Sequence, residues 1–547
     1  MAGSRIPLPG DESPAPSRWG GPPPPRASVV GRRSMVASAH SLASATGHAV
    51  LASGGTAVDA ALAMAAMTAV VLPAQCGVGG DAFAVVRDPT GAVRAVQGSG
   101  YGPDGADLAF FTARDLSAVP QRGPLSIAVP GWVSAIAALH ELGATRPLAE
   151  LFAPAIALAR SGIAVGARLA AELSAADASL TTDLGSAGVF APRGTMLGVG
   201  DLLVQRDLAD TLTLVAADPS AFYRGKLGEQ MVSALQAQGA PFSGEEWEMQ
   251  RASVTSAPEI AYAGHRVFTT APPSPGYMIL QQLGLCADAL AGAELLSPNA
   301  VATMARAAMH AFADRFAAVS SDTDTWRSLL APAALAAGRA RLAGALPRAP
   351  GLVGGDTTSL VAVDGDGGAV SWIHSIAFSF GSGITIPRTG VLLNDRLGRG
   401  AYLLAGHPNA VSPRRRPMHT LCAWIATSPD GELRAVGGTP GGDGQVQWNV
   451  QLLSHLLDHA LDPQDAVDAP RFTVSPGSDA DALGQPWRVT CESRLDPAVR
   501  AALARDDLAL RTIGPWAGGG AAQIVAVRDG ALFGGSDPRA DGCALGA

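Results

Sequence analysis

Residues 354–358 read Gly-Gly-Asp-Thr-Thr and lead straight into an alternating run, "TSLVAVD". A second glycine-rich stretch, "TPGGDGQ", occupies residues 439–445. A threonine hydroxyl within a chain is a poor nucleophile, because its pKa lies far above neutrality and no base is at hand. Breaking the Asp356–Thr357 peptide bond removes that obstacle. Thr357 then carries a free α-amine with an ordinary pKa of about 8. That amine can take the proton from its own hydroxyl, so nucleophile and base belong to one residue. The same hydroxyl can make the cut, by attacking the Asp356 carbonyl to give an ester that water hydrolyses. Gly354 and Gly355 let the backbone reach the geometry of that attack. Acyl transfer also needs donors for a developing oxyanion. Gly441 and Gly442 supply adjacent backbone amides just ahead of a helix, where N–H groups lack intrahelical partners. Either stretch alone has a plainer reading. Two threonines before a strand make a hairpin, and Pro-Gly-Gly makes a turn.

The elements that must position these residues show in the pattern of the chain. "SMVASAHSLASATGHAVLASGG" reads as a helix stopped by Gly54 and Gly55. Thr56 then offers an N-cap with Asp59 three residues on, and a second helix runs to Pro73. The period changes to short alternating β segments in "CGVGGDAFAVVRDPTGAVRAVQGSG". From Pro130 to about Gly239 the pattern is helical. A β segment at "HRVFTTAPPSPGY" precedes the helix "MILQQLGLCADAL", and helices continue to about Leu346. After Thr357 the β character returns in "TSLVAVD", "AVSWIHSIAF", "GVLLND", "TLCAWIATSP" and "LRAVGGTPG". A long helix, "QVQWNVQLLSHLLDHAL", and two further strands close the chain. Strands in runs, flanked by blocks of helices, predict a layered α+β sandwich.

Composition bounds the function. The chain has 547 residues, 48% hydrophobic and 16% charged, with a net charge of -8. A mild acidic balance argues against a nucleic-acid partner. The five cysteines are odd in number, far apart and without CxxC spacing, which indicates neither a disulfide framework nor a zinc site. Residues 1–28, rich in Pro, Gly and Ser, read as a disordered tail without the apolar stretch of a signal peptide. The longest apolar run, Ala60 to Pro73, is shorter than the roughly 20 residues of a membrane span. These features together predict a cytoplasmic protein.

So many short motifs occur in one order that a resemblance follows. "MVASAHSLASATG", "GGTAVDAALA", "GVGGDAF", "VPGWV", "FYRG", "DTTSLVAVDGDGGAVS", "FGSGI", "GVLLND", "RRRPMHTL", "GTPGGDGQ", "DAPRF" and "GGSDPRADG" are similar to the γ-glutamyltransferase family of N-terminal-nucleophile hydrolases. The resemblance runs from about Ser34 to the C-terminus. It implies a four-layer αββα sandwich, made as one chain and self-cut into residues 29–356, after the tail, and 357–547. It also implies Thr357 as nucleophile, Ser375 as a hydroxyl that hydrogen-bonds it, and Gly441 and Gly442 as oxyanion donors. No metal or cofactor is called for. The partners implied are a small amide substrate, the two subunits of one precursor, and a possible homo-oligomer of the cut pair.

The departures from the family concern the substrate. Tyr101 stands where the family has an arginine for the substrate α-carboxylate. Arg399 stands for the aspartate that receives the α-amino group, Ala377 for an asparagine, and His419 and Thr420 for a pair of serines. The segment between Arg399 and Pro417 is short for a full lid. A zwitterionic glutamyl head would lose both counter-charges, as in divergent amidohydrolases of the family that act on oxamate or on glutaryl side chains of cephalosporins. The main expectation is hydrolysis of, or transfer from, a γ-glutamyl or related amide. The alternatives are an amidase for a non-amino-acid acyl group and a cut but inactive binding protein. His374 and His419 have packing as their plainer role. The run Arg414–Arg416 reads as a solvated turn; an arginine such as Arg399 in a glycine-rich loop is ordinarily on the surface, but its position makes it, with Tyr101, His419 and Thr420, a candidate for substrate binding, and the one to take an anionic group.

Overall fold

The computed structural model describes residues 26–349, 357–478, 485–504 and 508–547. The strand Thr358–Val363 lies between two antiparallel neighbours. Leu360 faces Ser38 of the strand Met35–Ser38, and Thr358 faces His374 of the strand Ala369–Ser375. These belong to a seven-stranded sheet ordered Cys543–Gly546, Met35–Ser38, Thr358–Val363, Ala369–Ser375, Asp81–Arg87, Val93–Gly98, Ser253–Ser256. A second seven-stranded sheet runs Val29–Gly31, Ala531–Ser536, Gln523–Arg528, Leu433–Gly438, Trp424–Thr427, His265–Thr269, Glu259–Tyr262.

The period of two in these strands sorts their side chains into separate cores. Leu360, Ala362, Ala82 and Ala84 join a core with the helix Ala57–Val71. Their neighbours Val361, Val363, Phe83 and Val85 face the other sheet and pack with Phe268, Ile425, Val436 and Val525. On that second sheet Ala426, Ala435 and Ile524 point the opposite way, into a core with the helices Tyr277–Leu290, Pro298–Ala318 and Gln445–Leu457. Helix, sheet, sheet, helix: the fold is the expected αββα sandwich. Every residue of Ala57–Val71 is buried, as an alanine-rich helix apolar all round must be.

Several sequence expectations need correction. Met35–Ser38, read as the start of a helix, is a strand, and the helix starts at Ser41. A strand inside the sheet buries both faces, so it shows no alternation, and its pairing overrides a weak local preference. "GVLLND" supplies only Val391–Leu392, paired with Thr385–Ile386 outside the two large sheets. A three-stranded sheet of Phe472–Ser475, Arg488–Glu492 and Ala509–Ile513 was not foreseen. Residues 1–25 and Gly354–Asp356 lie outside the described residues. Among the described residues, no helix is long and apolar enough to cross a membrane.

The expected capping box is present. Thr56 and Asp59 satisfy each other at the head of Ala57–Val71. Asp59 is fully buried and also accepts from Thr145 N at 3.0 Å, Thr145 Oγ1 at 2.6 Å and Arg146 N at 3.1 Å. Burial alone would raise its pKa, but the donors from Thr145, Thr56 and Arg146 hold it below the usual value. A depressed folded-state pKa stabilises above the unfolded value and is lost as pH falls. Asp59→Ala is therefore expected to cost about 3 kcal/mol near neutral pH. The gap to wild type should narrow as pH drops through the carboxylate range. Urea unfolding of both chains checks this, and an equal gap at all pH values would contradict it.

Candidate active site

The end of the first sheet forms the floor of the site. One step beyond the pair Thr358–His374, the register sets Thr357 opposite Ser375, which pairs in turn with Asp81. One step beyond the pair Ala82–Gly98, Ser99 continues the row. Each of these residues is in phase with the side chains that face the second sheet, so Thr357, Ser375, Asp81 and Ser99 line its inner edge. All are buried, Thr357 to 2% exposure.

The second sheet closes over this floor. Ser371 Oγ donates to the Gly437 carbonyl at 2.8 Å and Ser359 Oγ to the Gly438 carbonyl at 3.2 Å, tying the sheets together beside the nucleophile. The chain then turns through Gly441 and Gly442, with φ of 120° and 58°, into the helix Gln445–Leu457. Gln445 Nε2 donates to Thr357 Oγ1 at 3.3 Å, and its Oε1 accepts from Cys422 N at 3.2 Å. Sequence reading missed Gln445, although it ends the quoted motif "GTPGGDGQ". Gly441 has no room for a β-carbon, which would run into the Trp448 ring. Asp443, in the same turn, accepts from Ser478 N at 2.7 Å and lies 3.7 Å from Arg315.

Ser375 Oγ accepts from Ala377 N at 2.8 Å. Ala377 has φ of 83°, a conformation an alanine rarely adopts and an asparagine tolerates better. His374 turns away from Thr357, toward the helical layer. Trp132 Nε1 donates to its Nδ1 at 2.9 Å, so its Nε2 carries the proton and donates to Thr68 Oγ1 at 3.0 Å. Burial lowers its pKa to about 3, which makes it a neutral packing residue.

The wall of the site is rich in arginine. Asn394 clamps its segment to the Gly79 and Ala128 carbonyls at 2.9 and 3.0 Å, and accepts from Arg396 N at 3.0 Å. That sets the short helix Arg396–Gly400 over the floor, with Arg396 Nε 3.4 Å from Asp81 Oδ2. Arg399 is buried, not on the surface, with its guanidinium 4.8 Å from the Phe378 ring centre. His419 is fully buried, 2.8 Å from Ser99 Oγ through Nε2 and edge-on to Phe83. Burial and the charges of Arg396, Arg315, Arg416 and Arg399 push its pKa well down, so it is neutral. Thr420 Oγ1 is buried without a hydrogen-bond partner. Tyr101 lies under the Arg416 guanidinium at 4.2 Å, and Arg416 donates to the Ser99 carbonyl at 2.9 Å. The turn Arg414–Arg416 is thus held on the protein: Arg414 pairs with Asp104 and Glu245, and Arg415 with Asp322 at 2.6 Å.

The pattern of the family described as gamma-glutamyltranspeptidase matches residues 43–547. The chain belongs to that family. It is 32% identical over 534 residues to the glutathione hydrolase-like YwrD proenzyme of Bacillus subtilis, covering 95% of this chain and 99% of that one. The oxamate amidohydrolase proenzyme of Klebsiella pneumoniae is 33% identical over 536 residues, with the same coverage. The cephalosporin acylase of Bacillus halodurans, a solved structure, superposes with a TM-score of 0.88 at 29% identity, covering 98% of this chain and 99% of that one. This γ-glutamyltransferase-family chain is accordingly a hydrolase with the N-terminal-nucleophile fold.

Gly441 gives the test of the turn. Gly441→Ala forces a β-carbon against Trp448 at a φ of 120° and is expected to cost about 2 kcal/mol. Because the same turn carries Gln445 to Thr357, turnover should fall at least about tenfold, which corresponds to ~1.4 kcal/mol. Urea unfolding and kcat/KM measure the two effects, and wild-type values for both would contradict this account of the turn.

Proposed function

We propose that the protein is an N-terminal-threonine amidohydrolase, with some capacity for acyl transfer, acting on an acyl group that carries a carboxylate and no α-ammonium. Self-cleavage comes first. Thr357 Oγ attacks the Asp356 carbonyl, the C–N bond breaks, and the acyl group passes to oxygen. Water hydrolyses that ester, leaving an Asp356 carboxylate and a free Thr357 amine. In turnover this amine takes the hydroxyl proton as Oγ attacks the substrate amide. The Gly441 and Gly442 amides receive the oxyanion, the leaving amine takes the proton, and water or an acceptor amine releases the acyl group. Ser375 and Gln445 orient the Thr357 hydroxyl.

The observation that carries the substrate class is the gathering of arginines on the wall of the site, with Arg396 fully buried among them. After burial, Arg396, Arg315, Arg416 and Arg399 are the groups that push the pKa of His419 down. An ammonium is repelled there and a carboxylate attracted. Asp395 favours a second reading. Its Oδ2 is buried without a hydrogen-bond partner, which suits the ammonium of a γ-glutamyl group. Arg396 and Arg399 stand close enough to act on that carboxyl, which favours the anionic acyl group over the zwitterion. The five cysteines are all free, in keeping with a cytoplasmic enzyme.

Three outcomes are expected. Wild-type protein should run as two chains, the second starting at Thr357, while Thr357→Ala stays whole; an intact wild type that turns over would sink the mechanism. The rate should rise with pH through an α-amine near 8. His374 and His419 are neutral throughout, but Asp81, pushed up to about 6 by burial, can add a second limb. The limb that survives in Asp81→Asn belongs to the amine. Matched anilides decide the substrate: glutaryl should beat γ-glutamyl in kcat/KM, and a tenfold preference for γ-glutamyl would establish the second reading instead.

A further inference from the structure

Arg396 has both Nη atoms without a hydrogen-bond partner, where Arg315 has only Nη1 so placed. Arg416 is occupied by the Ser99 and Arg251 carbonyls and by Tyr101, and Arg122 by the Ser379 and Gly381 carbonyls. Arg315 gives Nη2 to the His419 carbonyl at 3.0 Å. Arg396 is 0% exposed and meets Asp81 only through Nε, at 3.4 Å, while its Nη1 and Nη2 have no hydrogen-bond partner. A buried guanidinium with its fork unmatched is costly. The flat pair of N–H groups is complementary to one thing above others, a carboxylate taken in two parallel bonds.

The direction of that fork is set from below. Asp81 Oδ1 is fixed by Gly100 N at 3.2 Å, so Oδ2 holds Nε and leaves the far edge of the guanidinium for another group. Asp395, another acid near Arg396, accepts from Phe378 N at 2.9 Å and makes no hydrogen bond to the fork. Asp81 stands two strands from Thr357 on the inner row, with Ser375 between. At about 4.8 Å per strand step, the anchor lies roughly 10 Å from the nucleophile along the floor.

We propose that Arg396, aimed by Asp81, binds the carboxylate at the remote end of the acyl group, and so selects half-amides of dicarboxylic acids with several bonds between the two carbonyl carbons. This rests on the amidohydrolase reading above and replaces Arg399 by its neighbour one helical turn earlier as the anchor. Asp81 is a positioning residue: it holds the fork and touches no substrate. Thr357 and Arg396 are both buried.

The test uses self-cut wild-type enzyme and anilides of oxamic, succinic, glutaric and adipic half-acids, with butyryl anilide as the uncharged comparison and γ-glutamyl anilide as the zwitterionic one. Wild type should favour glutaryl over butyryl by about 30-fold or more, chiefly through KM, as a charge-assisted pair implies. Oxamyl, whose two carbonyl carbons are adjacent, should fall below glutaryl. Removing both charges together, in Asp81→Asn with Arg396→Gln, avoids stranding one of them and should collapse the glutaryl-to-butyryl ratio. Arg396→Lys keeps the charge without the fork and should give an intermediate ratio. If the wild type prefers glutaryl and both variants keep its ratio, Arg396 is not the anchor, yet the amidohydrolase reading stands. If the wild type prefers butyryl or γ-glutamyl substrates, that reading fails and takes the anchor with it. Should neither variant fold, the wild-type series decides alone: a flat profile, or oxamyl as the best substrate, overturns the proposal.

Discussion

The register of Thr358–Val363 between Met35–Ser38 and Ala369–Ser375 is the constraint on which the site depends. Side chains alternate between faces, so a slip of one residue would turn Thr357 toward the helical layer and bring Thr358 inward. The buried apolar residues forbid that slip. Val361 and Val363 fill the space between the sheets, and Leu360 and Ala362 the space under Ala57–Val71. Placing one hydroxyl is thus the work of two cores, and the hydroxyls of Ser359 and Ser371 hold the second sheet over it.

The same alternation explains why the floor of the site is polar at its end and apolar behind. Asp81 is in phase with Phe83 and Val85, and Thr357 with Val361 and Val363, so the inner row passes from packing to chemistry within one strand length. The arginines arrive from outside the sheets, on the helices Arg396–Gly400 and Pro298–Ala318 and the turn Arg414–Arg416, and so carry charge into the site without breaking a strand pair. Asn394 is the fixed point of the loop that matters most, since it bonds Gly79 and Ala128 while setting Arg396 over Asp81. Burial then decides the protonation of this region. It keeps His374 and His419 neutral and pushes Asp81 to about 6 despite its arginine partner.

Much of the fold was legible because its strands alternate and its longest buried helix carries a capping box. Thr357, Gly441 and Gly442 were legible as residue types at a telling place, and the family resemblance set them in order. Met35–Ser38 was not, because a strand buried on both faces carries no period, and its small residues suit a helix equally well. The choice between Arg396 and Arg399 was also out of reach. Both lie in one turn of a glycine-rich segment, and only the partner across the floor, more than three hundred residues away in the chain, separates them. Gln445 and Asn394 escaped notice for a similar reason: an amide side chain has no sequence signature until its partners are known.

The most direct test of the central claim is to catch the acyl group on the nucleophile. The cut enzyme would be mixed with a slowly hydrolysed glutaryl ester or anilide, quenched in acid, and digested. Mass analysis would then be made of the peptide beginning at Thr357. The account predicts a gain of one glutaryl group on the Thr357 peptide, absent when the enzyme is left to exhaust the substrate before the acid quench and missing from the Thr357→Ala chain. A glutaryl group carried on any other residue, or none at all during active turnover, would contradict it.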